Sequence, residues 1–147
     1  MVTKQFSADL HDKNDERGRE AAKRLFKRWG LELKDNPDKY GVDLQAYKDG
    51  ELYGNVEVEV REAWQGNFKF DTLNIPHRKR KFFEKEGRNC LVAFNSDLSQ
   101  AFICDDWTVL FSNIEEVKNK YVENGEMFFK VPVNQIKLVQ VYGTKSK

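Results

Sequence analysis

Asp43-Leu44-Gln45-Ala46-Tyr47-Lys48-Asp49-Gly50-Glu51-Leu52-Tyr53-Gly54-Asn55-Val56-Glu57-Val58-Glu59-Val60-Arg61 is the stretch on which the fold turns. Val42, Leu44 and Ala46 alternate with Asp43, Gln45 and Tyr47, and Val56, Val58 and Val60 alternate with Glu57, Glu59 and Arg61. A period of two marks two strands, and Asp49-Gly50 between them is a strong hairpin signal. The register decides the chemistry. A two-residue loop alone sets Asp43 opposite Val56, on the wrong face from Glu57 and Glu59. A three-residue loop that includes Glu51, or a bulge near Gly54-Asn55, brings the three carboxylates to one face. Buried there unpaired, they would be costly to desolvate. A divalent cation would neutralise them and take their oxygens as ligands. The same alternation also suits a half-exposed strand whose glutamates lie in water.

Outward from the hairpin, Ala21, Ala22, Leu25, Phe26 and Trp29 recur at helical spacing and predict an amphipathic helix over 15–29, closed by Gly30. Asn36-Pro37-Asp38 reads as a turn. On the other side, Asn74-Ile75-Pro76 predicts the start of a short basic helix ending near Gly87. Residues 90–95 and 100–104 read as strands around Asn95-Ser96-Asp97, residues 113–122 as a helix carrying Ile114, Val117 and Tyr121, and 128–142 as strand interrupted by Pro132. The expected class is α/β, a mixed sheet flanked by helices.

The 147 residues, 39% hydrophobic with 19 aromatics, suit a single domain over 1–147 with flexible ends at 1–14 and 143–147. No apolar run approaches the ~20 residues of a membrane helix, and the N-terminus lacks the pattern of a signal peptide. Cys90 and Cys104 have neither CxxC spacing nor a histidine cluster and read as small core residues of a cytoplasmic protein. The net charge of +1 conceals segregation: residues 1–34 sum to +3, 35–62 to −5, 63–90 to +4 and 91–147 to −1. Acid between basic flanks is what a metal-dependent enzyme acting on nucleic acid needs.

His77-Arg78-Lys79-Arg80-Lys81, with Lys85 beyond, concentrates that positive charge. Consecutive cations at a helix start repel one another and oppose the helix dipole, so phosphate contact is the expected use. Residues 77, 78, 81 and 85 would share one face, with Phe82 and Phe83 anchoring the other. Trp64 and Phe68 could stack on bases, although packing is the commoner role of such residues.

The helix, the Gly41-Val42-Asp43-Leu44 strand, the acidic strand and the basic helix after it resemble the PD-(D/E)XK nuclease superfamily, which includes restriction enzymes and Holliday-junction resolvases. The resemblance covers roughly residues 15–94 and implies a restriction-endonuclease-like fold and a metal-dependent DNA endonuclease. Asp43 matches the motif's Asp, and Glu59-Val60-Arg61 matches its second element with a basic residue at the Lys position. Glu57-Val58-Glu59 is the other frame, with Glu at that position. The first frame is favoured, with Glu57 as a further ligand. The resemblance thus implies Asp43, Glu57 and Glu59 as ligands of Mg²⁺ or Mn²⁺, and Asp43, Glu59 and Arg61 as catalytic. His77, Arg78, Lys79, Lys81 and Lys85 are expected along the backbone of duplex or branched DNA. A homodimer is also implied, and the composition would suit a phage protein.

Arg61 stays charged at any relevant pH and can only orient or stabilise, so water activation falls to the metal and a Glu. Glu16 and Glu20 are candidates for a further helical ligand, but the wheel turns both away from the apolar stripe. With Arg61 in place of Lys, a nuclease-fold protein that binds nucleic acid without cutting it is the alternative. A plain protein-interaction domain is the third reading.

Overall fold

The computed structural model describes residues 8–38, 43–119 and 122–141, with side chains from residue 16 onward apart from 119 and 122–124. Tyr40, Gly41 and Val42, which precede Asp43, lie outside these residues, as do Tyr121, Tyr142 and the side chain of Asp15. The first element is α1 (Ala8–Lys27), starting earlier than its apolar spacing predicts. There follow β1 (Glu32–Asp35), β2 (Leu44–Lys48), β3 (Glu51–Val60), β4 (Thr72–Pro76), a 3₁₀ turn over His77–Lys79, α2 (Arg80–Phe83), β5 (Arg88–Phe94) and β6 (Gln100–Asp105). The chain continues through α3 (Asp106–Leu110), β7 (Asn113–Asn119), β8 (Val122–Pro132), a 3₁₀ turn at Val133–Gln135 and β9 (Lys137–Gln140). Among the described residues no helix is long and apolar enough to cross a membrane.

Strands β1-β2-β3-β5-β6-β9 form one sheet in that order, antiparallel throughout except for the parallel β3–β5 pair. A parallel neighbour needs a crossover, and here it carries β4, the 3₁₀ turn and α2. Helix α1 covers one face, packing Ala21, Ala22, Leu25 and Phe26 on Leu44, Val56, Val58, Val92 and Phe94. Gly18 lets it lie close: a Cβ there would meet methyl carbons of Val58 and Val60 at 3.0 and 3.2 Å. The helix ends in a Schellman arrangement, with Gly30 N–H on Lys27 O and Leu31 N–H on Phe26 O, both at 3.1 Å. Trp29 departs from the expected buried stripe. It is 38% exposed, edge-on to Phe26, with the Lys137 ammonium 5.3 Å from its ring centre.

The other face is covered mainly by strands. The sheet β4-β8-β7 brings Leu73, Ile75, Phe129 and Val131 onto Leu91, Ala93, Phe102 and Cys104, with Phe82, Phe83 and Val109 filling in from α2 and α3. The fold is therefore mixed α/β with a mostly antiparallel sheet and few helices. β5 is apolar nearly throughout because both its faces are covered.

Two sequence expectations change, and one helix has no counterpart among them. Residues 113–119 are a strand, not a helix: they pair with β8 from Asn113↔Lys130 to Asn119↔Val122, and the three-residue spacing of Ile114 and Val117 imitates a helical face. Asn74-Ile75-Pro76 belongs to β4, where Ile75 is fully buried against the core, so the helical stretch is reduced to residues 77–83. Helix α3 went unread, although Asp105 caps it by accepting from the Thr108 N–H (3.2 Å) and hydroxyl (2.7 Å).

Gly54 has a steric duty, since a Cβ there would lie 2.7 Å from the carbonyl oxygen of Arg88 on β5. Backbone cannot yield as a flexible side chain can, so Gly54→Ala should cost about 1–3 kcal/mol in urea denaturation. Both cysteines are free, and burial pushes the Cys90 thiol up to about 12 and raises that of Cys104. The buried Cys104 thiol should not react with Ellman's reagent at pH 8 until the protein is unfolded.

Candidate functional site

The hairpin turn is the two-residue loop Asp49-Gly50, with φ of 53° and 84°, the left-handed pair that suits the twist of the strands. Near the turn Lys48 pairs with Glu51 and Tyr47 with Leu52, but then Ala46 pairs with Gly54 and Leu44 with Val56. Tyr53 is the extra residue. This is the bulge alternative, one position before Gly54-Asn55, and it switches the facing of all that follows. Leu44 and Val56 point to α1, so Asp43, Glu57 and Glu59 fall on the opposite face. Asp43 lies just past the last backbone pair and extends the ladder with its side chain, accepting the Val58 N–H at 3.0 Å.

Each glutamate on this face has a cation of the chain itself beside it. Lys79 Nζ donates to Glu57 Oε1 at 2.8 Å, and Arg61 Nε donates to Glu59 Oε2 at 2.5 Å. A second nitrogen of Arg61 donates to the carbonyl of Asn74 at 2.8 Å, fixing the guanidinium between β3 and β4. The side chains of Glu57 and Glu59 are 17% and 27% exposed, so neither pair is a freely solvated surface bridge. Lys79 reaches the face because β4 ends at Pro76 and the tight 3₁₀ turn carries the next residues over the sheet. Part of the charge segregation is thus satisfied within the fold: the acidic segment meets the basic one.

The basic segment does not form the expected single face. Regular helix stops at Phe83, leaving Lys85 beyond it, and the residues before it point to different partners. Arg78 is ion-paired with Glu126, Arg80 donates to Glu84 at 2.8 Å, and the His77 ring lies 5.1 Å from that of Phe129. Lys81 and Lys85 are exposed, while Phe82 and Phe83 anchor the segment as expected. Intramolecular pairing therefore engages Arg78, Lys79 and Arg80, for which phosphate contact was the expected use.

Glu16 and Glu20 are exposed on α1, and Glu20 lies 3.4 Å from Lys23. Because α1 packs on the valine face of β3, the sheet separates it from the carboxylate face. Trp64 is 5% exposed, stacks on Phe102 at 5.1 Å and donates its indole N–H to Gly66 O, and Phe68 packs edge-on to both rings. Packing is their use here.

The donor chemistry of Asp43, Glu57 and Glu59 suits a hard divalent cation. Their oxygens do not converge as they stand: among the described residues no group of three or more His, Cys, Asp or Glu side chains gathers closely enough to hold a metal ion. Lys79 and Arg61 take up the negative charge instead. Asp43 also has a structural duty that separates by substitution. Asp43→Ala leaves the Val58 N–H without its acceptor and should cost about 1–3 kcal/mol. Asp43→Asn retains an acceptor oxygen and should unfold within about 0.5 kcal/mol of the parent in thermal melts. Compared with known proteins, the chain matches no protein-family model and no curated sequence.

Proposed function

We propose that this protein is a metal-dependent DNA endonuclease of restriction-endonuclease-like fold, hydrolysing phosphodiester bonds at the face that carries Asp43, Glu57 and Glu59. The observation behind this reading is the Tyr53 bulge, which sets Leu44 opposite Val56 and so puts Asp43 in register with the face of Glu57 and Glu59. Further support comes from the sequential strand order and the parallel β3–β5 step, with basic residues on the crossover between them. The hydrogen bond from Val58 to Asp43 favours the Glu57-Val58-Glu59 frame over Glu59-Val60-Arg61. A Glu then stands at the Lys position, and Arg61 lies beyond the motif.

In this reading Asp43, Glu57 and Glu59 would hold Mg²⁺, which when bound supplies positive charge to the phosphate and lowers the pKa of water. Lys79 and Arg61, which neutralise Glu57 and Glu59 here, are the cations on this face that would be available to a substrate phosphate. Arg61, permanently protonated, then stabilises the charge that develops on the phosphate. The Lys79 ammonium supplies a compact second charge on the same face, and exposed Lys81 and Lys85 contact the backbone farther out.

The ion pairs Lys79–Glu57 and Arg61–Glu59 favour a second reading, a nuclease-fold protein that binds nucleic acid without cutting it. Incubation with supercoiled plasmid and Mg²⁺ or Mn²⁺ decides between them. The nuclease should nick the plasmid, lose all cleavage in EDTA, and lose at least about 100-fold in rate on Asp43→Asn or Glu57→Gln. Unchanged cleavage in both variants would remove the site. Metal-independent DNA binding with no cleavage would establish the second reading.

A further inference from the structure

Beside Arg61 lies a cavity of about 530 Å³, lined by the loop that follows β3 and by Thr72 and Asn74 of β4 and Lys130 of β8. Its volume falls within the ~300–1,000 Å³ usual for small-ligand sites. The charged residues lining it are Arg61, Lys69 and Lys130, all cations, while Glu62 and Asp71 of the same loop do not line it. Asn67, Thr72 and Asn74 add neutral polar groups to the wall. Phe70 also lines it and is 71% exposed, touching Phe68 edge-on at 5.7 Å. One exposed phenylalanine is ordinary on a protein surface. Glu59 and the Asn74 carbonyl account for Arg61, but Lys69, Lys130 and the exposed ring of Phe70 around one cavity are not explained by packing.

We propose that this cavity binds an unpaired nucleotide of single-stranded DNA, with its base on Phe70 and its phosphates on Lys69, Lys130 and Arg61. The chemistry follows from the lining. Phosphates seek clustered cations, and any base presents a flat face on which an aromatic side chain can stack. A base paired within a duplex has no face available for Phe70. The cavity therefore selects a strand that is single, frayed or branched where it passes the carboxylates. This deepens the nuclease reading and rests on it for the purpose of binding, but the binding itself requires no cleavage.

The test uses the full chain in EDTA with fluorescein-labelled dT10, a blunt duplex of equal length and free dTMP, followed by anisotropy. Single-stranded dT10 should bind more tightly than the duplex. Phe70→Ala should weaken dT10 binding by about 5- to 100-fold and leave duplex binding unchanged, the loss of one stacking contact. Lys69→Ala with Lys130→Ala should reduce the salt slope for dT10 by about 1.4, corresponding to two phosphates on a single strand. Equal binding of duplex and single strand would overturn the proposal, and so would indifference to Phe70→Ala or dTMP binding as tight as dT10. Mg²⁺-dependent cleavage with no effect of Phe70→Ala removes the cavity and spares the nuclease. A Phe70-dependent preference for dT10 without cleavage upholds the cavity and removes the nuclease.

Discussion

One extra residue in one strand, Tyr53, determines where the charges of this molecule lie. Side chains of a strand alternate, so a one-residue insertion on one side of a hairpin reverses which residues share a face beyond it. Without the bulge Asp43 would face the apolar side of α1, where a carboxylate has no partner. With it, valines and leucines collect beneath the helix, and Asp43, Glu57 and Glu59 collect opposite. Gly54, directly after the bulge, allows β5 to approach, so the same few residues set both the hairpin register and the parallel step.

The acidic face is the place where folding and chemistry compete. Lys79 and Arg61 neutralise Glu57 and Glu59 at hydrogen-bond distance, which offsets part of the penalty of desolvating those carboxylates. The same cations are displaceable counter-charges. Under the proposed function a divalent cation would take the oxygens, leaving Arg61 and Lys79 to an approaching phosphate. The proposal thus gives these ion pairs a second role, as substrate contacts once a metal is bound.

Much of this was legible in the residues. Alternation around Asp49-Gly50 identified the hairpin, and the conflict between a two-residue loop and a shared acidic face left either a longer loop with Glu51 or a bulge, of which the bulge is the one found. The helical stripe of Ala21, Ala22, Leu25 and Phe26 and the closing Gly30 read correctly because local spacing and local capping determine them. What escaped reading depends on partners distant in the chain. Ile114 and Val117 look helical until β8 pairs with them, and Ile75 looks like a helix start until the core claims it. Lys79 looks like a free phosphate ligand because its contact with Glu57 exists only after the crossover folds back. The cavity by Arg61 joins Lys69 and Phe70 to Lys130, and no spacing rule connects a loop to a strand so far along the chain.

The proposed function requires Asp43 and the Glu57–Glu59 strand to bind a divalent cation. Anomalous diffraction from crystals soaked in Mn²⁺ addresses it most directly. The account predicts an anomalous peak bounded by carboxylate oxygens of Asp43 and Glu57, with Lys79 withdrawn from its glutamate. Crystals saturated with Mn²⁺ that show no peak on this face, with Lys79 still on Glu57 and Arg61 still on Glu59, would contradict it.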